Sequence, residues 1–478
     1  MGVPLILDNT RATRFEPGTN LKGDVAGAAW TFALPSLELG RVLCAGLPGH
    51  AALTTLAQLA DRVEVECGPL GRRRLRRLGL PNVVAAAGAR EPVDLLVVSR
   101  LRLRRPPLER VAPDGVVFDE SLRRHVTGGP SNTLSLGSPA PPPRYLRELA
   151  GRAGIDLERH GWTLSAPGDY ASRKVTIALT PPGGSTPDVV VKLTRAPVFN
   201  TRLENERRAL DELEAAGIGS DGSVPRTLFA GTHAGLAVLG ESAVAGVPFR
   251  SLTSARPDCA LARAAREWLV ELAAQTAHPG DPLEAVAVLD GLLSRFTELY
   301  VITPAQRDFL AAQIAAIRSI PALPLVFQHG DPGTWNLLAT TDGRVAFLDW
   351  EAGEPDGLPL WDLFYFMRSF GVTVARAAGT RDSLAAFERA YLPDTELSRA
   401  LREAVRESCL RTEMPMELVM PLFYTCWMHR SLKESGRLPP SRLQRGHYVS
   451  LLRLCIERCD APGLRALFSA GREAEVAR

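Results

Sequence analysis

The sequence predicts two unlike parts in series: an α/β part with a small parallel sheet, then an α+β part that opens on antiparallel strands and becomes helical. Three observations predict it. Short apolar strands alternate with helical stretches over residues 1–127, a Gly/Ser/Pro-rich run interrupts the chain at 128–146, and turn-separated strands beyond Gly161 give way to helical patterns after Ser251. A chain of 478 residues exceeds one ordinary core, so several domains are expected.

In the first part, RVLCAG (Arg41 to Gly46) reads as a strand. It runs into the Gly-bearing turn of LPGHAAL and a helix through Leu59. RVEVE (Arg62 to Glu66), NVVAAA (Asn82 to Ala87) and DLLVVS (Asp94 to Ser99) follow as further strands, the rhythm of a parallel sheet with crossover helices. Between them Arg72, Arg73, Arg74, Arg76 and Arg77 cover more than one helical face, as a solvated surface helix does. The run GGPSNTLSLGSPAPPPRYL (Gly128 to Leu146) has a linker's composition.

WTLSAP and KVTIALT are strand-like, PPGGSTP is a turn, and DVVVKLT (Asp188 to Thr194) is the next strand. RLENERRALDELEAAG sets Leu203, Leu210 and Leu213 near one helical face and stops at Gly217. Strand signals recur at Arg226 to Phe229 and Leu236 to Leu239. The expected organisation is 1–127 as the parallel-sheet domain, 128–146 as linker, 147–250 as a strand-rich lobe and 251–478 as a helical lobe.

Composition excludes several classes. With 56 basic and 53 acidic side chains the chain shows no nucleic-acid footprint and no polybasic membrane anchor. Seven scattered cysteines without a CxxC pair indicate reduced thiols, not disulfides or structural zinc. No apolar run of about eighteen residues occurs, so a soluble cytoplasmic protein is expected. Oligomeric state is not legible.

One stretch carries chemistry: LPLVFQHGDPGTWNLLATTDGRVAFLDWEAGEPDG. It places His329 two residues before Asp331 and Asn336 five after it, followed by a turn at Thr341-Asp-Gly343 and a strand ending at Asp349. Phosphoryl transfer explains these types. The transferred group carries dispersed negative charge, so catalysis consists of positioning, neutralisation by metal, and a carboxylate that orients the attacking hydroxyl. Asp331 is the candidate for that carboxylate. Asn336 and Asp349 offer the hard oxygen ligands Mg²⁺ prefers, and His329 is a structural member of the loop.

The segment resembles the catalytic motif of the aminoglycoside phosphotransferase and choline kinase superfamily, from about Gly161 onward. LDWE is similar to the family's metal motif, and Asp362 in PDGLPLWDLFYF resembles a structural aspartate of the family. The resemblance implies a bilobal protein-kinase-like fold with a helical C-lobe, ATP and Mg²⁺ as cofactors, and a small-molecule hydroxyl acceptor. It also implies a strand lysine and a helical glutamate. Lys192 in VVVKLT fits the first, although alternation would equally turn it to solvent, and Glu206 fits the second with Glu204 as competitor. Ser165, Gly168 and Ser172 are candidates for the phosphate-covering turn, and the backbone from Glu241 to Val244 for the adenine-binding hinge. Trp427, His429 and Arg430 are expected on the acceptor side. Glu351, Glu354 and Asp356 either line a pocket for a cationic acceptor or are solvated.

The N-terminal part resembles a class I methyltransferase with a Rossmann-like sheet, in degenerate form. That resemblance implies Gly46 and Gly49 at an S-adenosylmethionine turn and Glu66 at its ribose; the sparse glycines and Pro48 depart from the pattern. A non-catalytic binding module and a bifunctional kinase/methyltransferase stand as alternatives to a kinase alone. His-Gly-Asp and Asp-Trp-Glu in place of His-Arg-Asp and Asp-Phe-Gly argue against protein kinase activity.

Overall fold

The computed structural model describes residues 28–86, 91–99, 107–119, 135–138, 141–165, 174–252, 256–340 and 342–469. They form two compact units. One holds the described residues up to 207 together with 226–243; the other holds 208–225 and the described residues from 244 onward.

The first unit contains two sheets. A parallel one is built from β1 (Leu39–Ala45), β2 (Ala60–Glu66), β3 (Val83–Ala85), β4 (Val93–Val98) and β5 (Val111–Asp119), in the order β3-β2-β1-β4-β5. α1 (His50–Leu59) buries Leu53, Leu56 and Leu59 against it. α2 (Pro69–Leu78) starts on Pro69, ends at a left-handed Gly79 and buries only Leu75, so its five arginines face solvent. β5 is absent from the sequence expectation because Pro113 and Gly115 break its strand pattern. An edge strand tolerates Pro, and the β4–β5 register shifts between Val93 and Leu95.

The second sheet is antiparallel, from β6 (Ser135–Ser138), β7 (Gly161–Ser165), β8 (Val175–Thr180), β9 (Val189–Leu193), β10 (Thr227–His233) and β11 (Leu236–Ser242), in the order β10-β11-β9-β8-β7-β6. β6 lies inside the predicted linker; its Ser-rich composition hides a strand whose backbone pairs with β7. α3 (Arg144–Arg152) presents Tyr145, Leu146, Leu149 and Ala150 to the core, and Leu149 approaches Gly231 closely enough that a Cβ there would meet it at 2.7 Å. One continuous apolar core takes in side chains of both sheets, Val42 and Leu95 as well as Ile177 and Val191. α4 (Asn200–Ala215) follows β9.

The other unit is mainly helical. Among its elements, α5 (Ala260–Thr276) and α6 (Trp361–Ala377) flank small sheets, and α7 (Val419–Ser435) is buried along most of its length. The first half of α6, Trp361 to Val372, is buried on every face, as expected of an apolar helix inside a core. β12 (Leu323–Gln328) pairs with β15 (Glu354–Gly357), and β13 (Leu337–Ala339) with β14 (Val345–Phe347), both antiparallel. All seven cysteines are free thiols. No helix among the described residues is long and apolar enough to cross a membrane.

His233 ties the sheets' connections together. Its Nε2 accepts the Leu37 N–H at 2.9 Å, and its ring stacks on Tyr145 at 4.6 Å, whose hydroxyl donates to the Phe32 carbonyl at 2.9 Å. Burial lowers the His233 pKa from 6.5, aided by Arg144 and opposed by Glu38 and Glu148. As pH falls, the unfolded chain protonates first. The stabilisation is therefore whole above about pH 6.5 and declines below it until folded His233 itself titrates. Denaturant melts should show a midpoint that falls from about pH 6.5 toward pH 5. His233→Gln, which keeps an acceptor without the titration, should flatten that slope.

Candidate active site

In the first unit, four charged side chains meet on the antiparallel sheet. Lys192 on β9 is only 8% exposed, and its Nζ lies 2.6 Å from Glu206 Oε1 and 2.6 Å from Glu241 Oε1. The Lys174 Nζ lies 2.6 Å from the other oxygen of Glu206, which is fully buried. Lys192 thus points inward, and Glu206, not the exposed Glu204, is its helical partner. The two carboxylates offset the burial of the Lys192 ammonium. Burial pushes the Glu241 carboxyl up to about 7; Lys192 opposes this and the nearby Glu206 reinforces it.

Glu241 is expected to act through its backbone, yet its side chain is committed to Lys192. Its backbone lies within β11, opposite Val190 and Thr227. The Ala243 N–H donates to the Asp188 carbonyl at 2.8 Å. Val244 belongs to the second unit. Ser165 ends β7 opposite Thr176. Gly168 and Ser172 lie outside the described residues.

In the second unit, the His329–Asn336 loop joins β12 to β13. The chain reverses at Gly330, whose φ is 74°, and a Cβ there would run into the Ala352 carbonyl. Buried Asp362, at the start of α6, accepts the His329 N–H at 2.5 Å and the Gly330 N–H at 3.1 Å. The Gly330 carbonyl accepts from Arg430 Nη1 at 2.9 Å and Lys433 Nζ at 3.0 Å, both on α7. Arg430 also lies 3.9 Å from Asp362, 4.0 Å from Asp331, and 3.6 Å over the Tyr365 ring.

His329 is fully buried, and burial lowers its pKa, so the imidazole is neutral. Its Nε2 donates to the Leu348 carbonyl at 2.9 Å and its Nδ1 accepts the Asp331 N–H at 3.2 Å. The ring therefore couples the residue before Asp349 to Asp331 itself. Asn336 Nδ2 donates to the Asp331 carbonyl at 2.9 Å and more weakly to its carboxylate at 3.4 Å. This use of the amide nitrogen leaves Oδ1 as the remaining acceptor. The Leu348 N–H closes the loop onto the Asn336 carbonyl at 2.8 Å, and Asp349 follows in a left-handed conformation, φ 68°.

Among the described residues no group of three or more His, Cys, Asp and Glu is placed to hold a metal. Asn336 and Asp349 nonetheless suit Mg²⁺, which is held by one or two carboxylates together with substrate phosphates.

Of the expected acceptor-side residues, Trp427 is fully buried in the core and His429 stacks on Trp361 at 4.8 Å, which assigns both to packing. Burial drives the His429 pKa well below 6.5. Asp356 Oδ1 lies 3.2 Å from His278 Nε2, and burial pushes Glu354 up to about 7 against the pull of Arg208. Lys433, absent from the sequence expectation, is brought down to about 8 by burial and Arg430. No sequence signal marks it, since 97 residues separate it from Asn336.

A His-x-Asp loop closed on an asparagine, with Leu348 hydrogen-bonded to that loop and Asp349 directly after it, defines a class of phosphoryl-transfer protein. The family model described as the phosphotransferase enzyme family, APH, matches residues 164–404, and the chain belongs to that family. The N-terminal parallel sheet lies before the matched residues. Similar solved structures include a glucosamine kinase in complex with glucosamine, ADP and inorganic phosphate, 18% identical, with 63% of this chain and 89% of that one covered at a TM-score of 0.38. Another is the aminoglycoside phosphotransferase APH(3'')-Id from Streptomyces rimosus with ADP and streptomycin (19% identity, 52% and 90% coverage, TM-score 0.31). A third is a Plasmodium vivax ethanolamine kinase (12% identity, 62% and 81% coverage, TM-score 0.36). No curated protein matches the chain.

Asp362→Ala should destabilise the fold by about 3–5 kcal/mol in urea melts, because two buried N–H groups and Arg430 lose their anion. Gly330→Ala should also destabilise, through strain at the left-handed turn and collision with Ala352.

Proposed function

We propose that this chain is an ATP- and Mg²⁺-dependent phosphotransferase that phosphorylates a hydroxyl of a small molecule of the aminoglycoside, amino alcohol or sugar type. The observation that carries the proposal is the fixing of Asp331 from both sides: its N–H by the neutral His329 and its carbonyl by Asn336. A carboxylate so held is preorganised to align an acceptor hydroxyl and take its proton as the oxygen attacks the terminal phosphorus. His329 acts through position, not proton transfer, because both ring nitrogens are engaged with the backbone.

Asn336 Oδ1 and the Asp349 carboxylate would hold Mg²⁺, which when bound neutralises charge on the phosphate oxygens. Lys192, oriented by Glu206 and Glu241, would supply positive charge to the nucleotide phosphates. Ser165, Gly168 and Ser172 are proposed for the phosphate-covering turn, and the backbone near Val244 for the adenine. The acceptor class is not set by counting Glu351, Glu354 and Asp356 as three negative charges, since Glu354 is half protonated near neutrality and Asp356 is paired with His278.

An ATP-consumption screen over aminoglycosides, amino alcohols, sugars and nucleosides tests the activity and its acceptor together. Asp331→Ala should lower turnover by about 10²–10⁴-fold while nucleotide binding persists, whereas Asp349→Ala should weaken Mg²⁺-dependent ATP binding as well. Equal turnover of Asp331→Ala and the wild type would refute the assignment.

A further inference from the structure

The N-terminal parallel sheet carries polar groups that phosphoryl transfer leaves unused. Its strand order reverses at β1: β2 and β3 extend it on one side, β4 and β5 on the other. In open parallel sheets, ligands enter the crevice beyond the C-terminal strand ends at such a reversal. β1 ends there at Ala45, Gly46 turns with a φ of 106°, and α1 begins at His50. α1 has no side-chain cap and no acidic residue in its first turn. Its backbone ladder opens with Leu53 N–H on the Gly49 carbonyl at 3.1 Å. The N–H groups of His50, Ala51 and Ala52 therefore lack intrahelical acceptors, at the positive end of the helix.

A buried side chain aims at the same place. Ser99, directly after β4, is 1% exposed, and its hydroxyl has no hydrogen-bond partner. Its N–H donates to the Ala45 carbonyl at 3.1 Å, which sets it level with the end of β1. Val42, Cys44, Leu95 and Val97 share one face of the sheet with Leu53 and Leu56 of α1, while Leu43, Ala45, Leu96 and Val98 form the opposite face. Alternation therefore turns Ser99 to the α1 side, where α1 begins. His50 opens α1, where the Cα–Cβ bond tilts toward the helix start, and its Nδ1 is likewise buried without a partner. A buried polar atom left unmet opposes folding, so two at one helix mouth point to a ligand that satisfies them.

We infer that the parallel sheet binds a nucleotide through its phosphate, at the N-terminus of α1 between Ser99 and His50. Glu66, which ends β2 opposite Ala45, is placed to accept from the ribose hydroxyls. Backbone N–H groups at a helix N-terminus beside a serine hydroxyl suit a phosphate, which S-adenosylmethionine lacks. The site shares no residue with those assigned to phosphoryl transfer and does not depend on that assignment.

The test is calorimetric titration of the full chain, without Mg²⁺, with AMP, NAD and S-adenosylmethionine. AMP or NAD should bind, inorganic phosphate should compete, and Ser99→Ala and His50→Leu should each weaken binding about tenfold, the loss of one hydrogen bond. An unaltered melting curve for Ser99→Ala, which removes only a hydroxyl, separates lost binding from lost fold. The inference is overturned if neither nucleotide binds at millimolar concentration, or if the affinity is unchanged by Ser99→Ala and by His50→Leu. It is overturned equally if S-adenosylmethionine binds where AMP and NAD do not.

Discussion

The buried carboxylate of Asp362 is the interaction on which the His329–Asn336 loop depends. A loop that turns at a left-handed glycine exposes two consecutive N–H groups, of His329 and Gly330, to the interior. Left unpaired, they would oppose the turn. Asp362 accepts both, and its own burial, which raises its pKa, is offset by those bonds and by Arg430. The carbonyl on the far side of Gly330 is taken by Arg430 and Lys433. The His329 and Gly330 N–H groups and the Gly330 carbonyl are thus engaged by α6 or α7, while His329 and Asn336 hold the backbone of Asp331.

The antiparallel sheet solves a related problem by sharing. Lys192 serves two carboxylates while Glu206 serves two ammonium groups, so the chain Glu241, Lys192, Glu206, Lys174 alternates in sign. Alternation lets four buried groups remain together at small net charge. Glu241 sits at the end of the chain with one oxygen unpartnered, and it is the carboxyl that burial drives upward. That end is where a proton can be taken up without breaking the Lys192 to Glu206 pair.

The legible parts of this molecule were those written in local sequence. Asp331, Asn336 and Asp349 announce themselves by spacing, and Lys192 by a charge among Val190, Val191 and Leu193. The strands β1, β3 and β4 were legible as compact apolar runs and β2 as an alternating one. What the sequence hides is non-local or carried by backbone. β6 has almost no apolar signature and exists because β7 offers it a hydrogen-bonding edge. The core that takes in both sheets arises from α3 and Tyr145, which read as the end of a linker. Trp427 and His429 looked like acceptor-side groups because aromatic and titratable residues attract functional readings. The burial of Trp427 and the stacking of His429 on Trp361 show that a largely buried helix uses the same residue types for packing.

Charge near Asp331 is set by burial more than by residue count. The segment from Glu351 to Asp356 holds three acids, and α7 brings two cations to the Gly330 carbonyl. Desolvation acts against both signs: it brings Lys433 down to about 8 and Glu354 up to about 7. Arg430 is the exception, since a guanidinium keeps its charge and its planar face stacks on Tyr365. The fixed charge facing Asp331 is therefore the arginine, while Lys433 and Glu354 can each shed charge near neutral pH. A loop whose geometry rests on a permanent cation, bordered by groups of adjustable charge, keeps its shape while the local field changes. The contacts that position Asp331 then persist as Lys433 and Glu354 change charge.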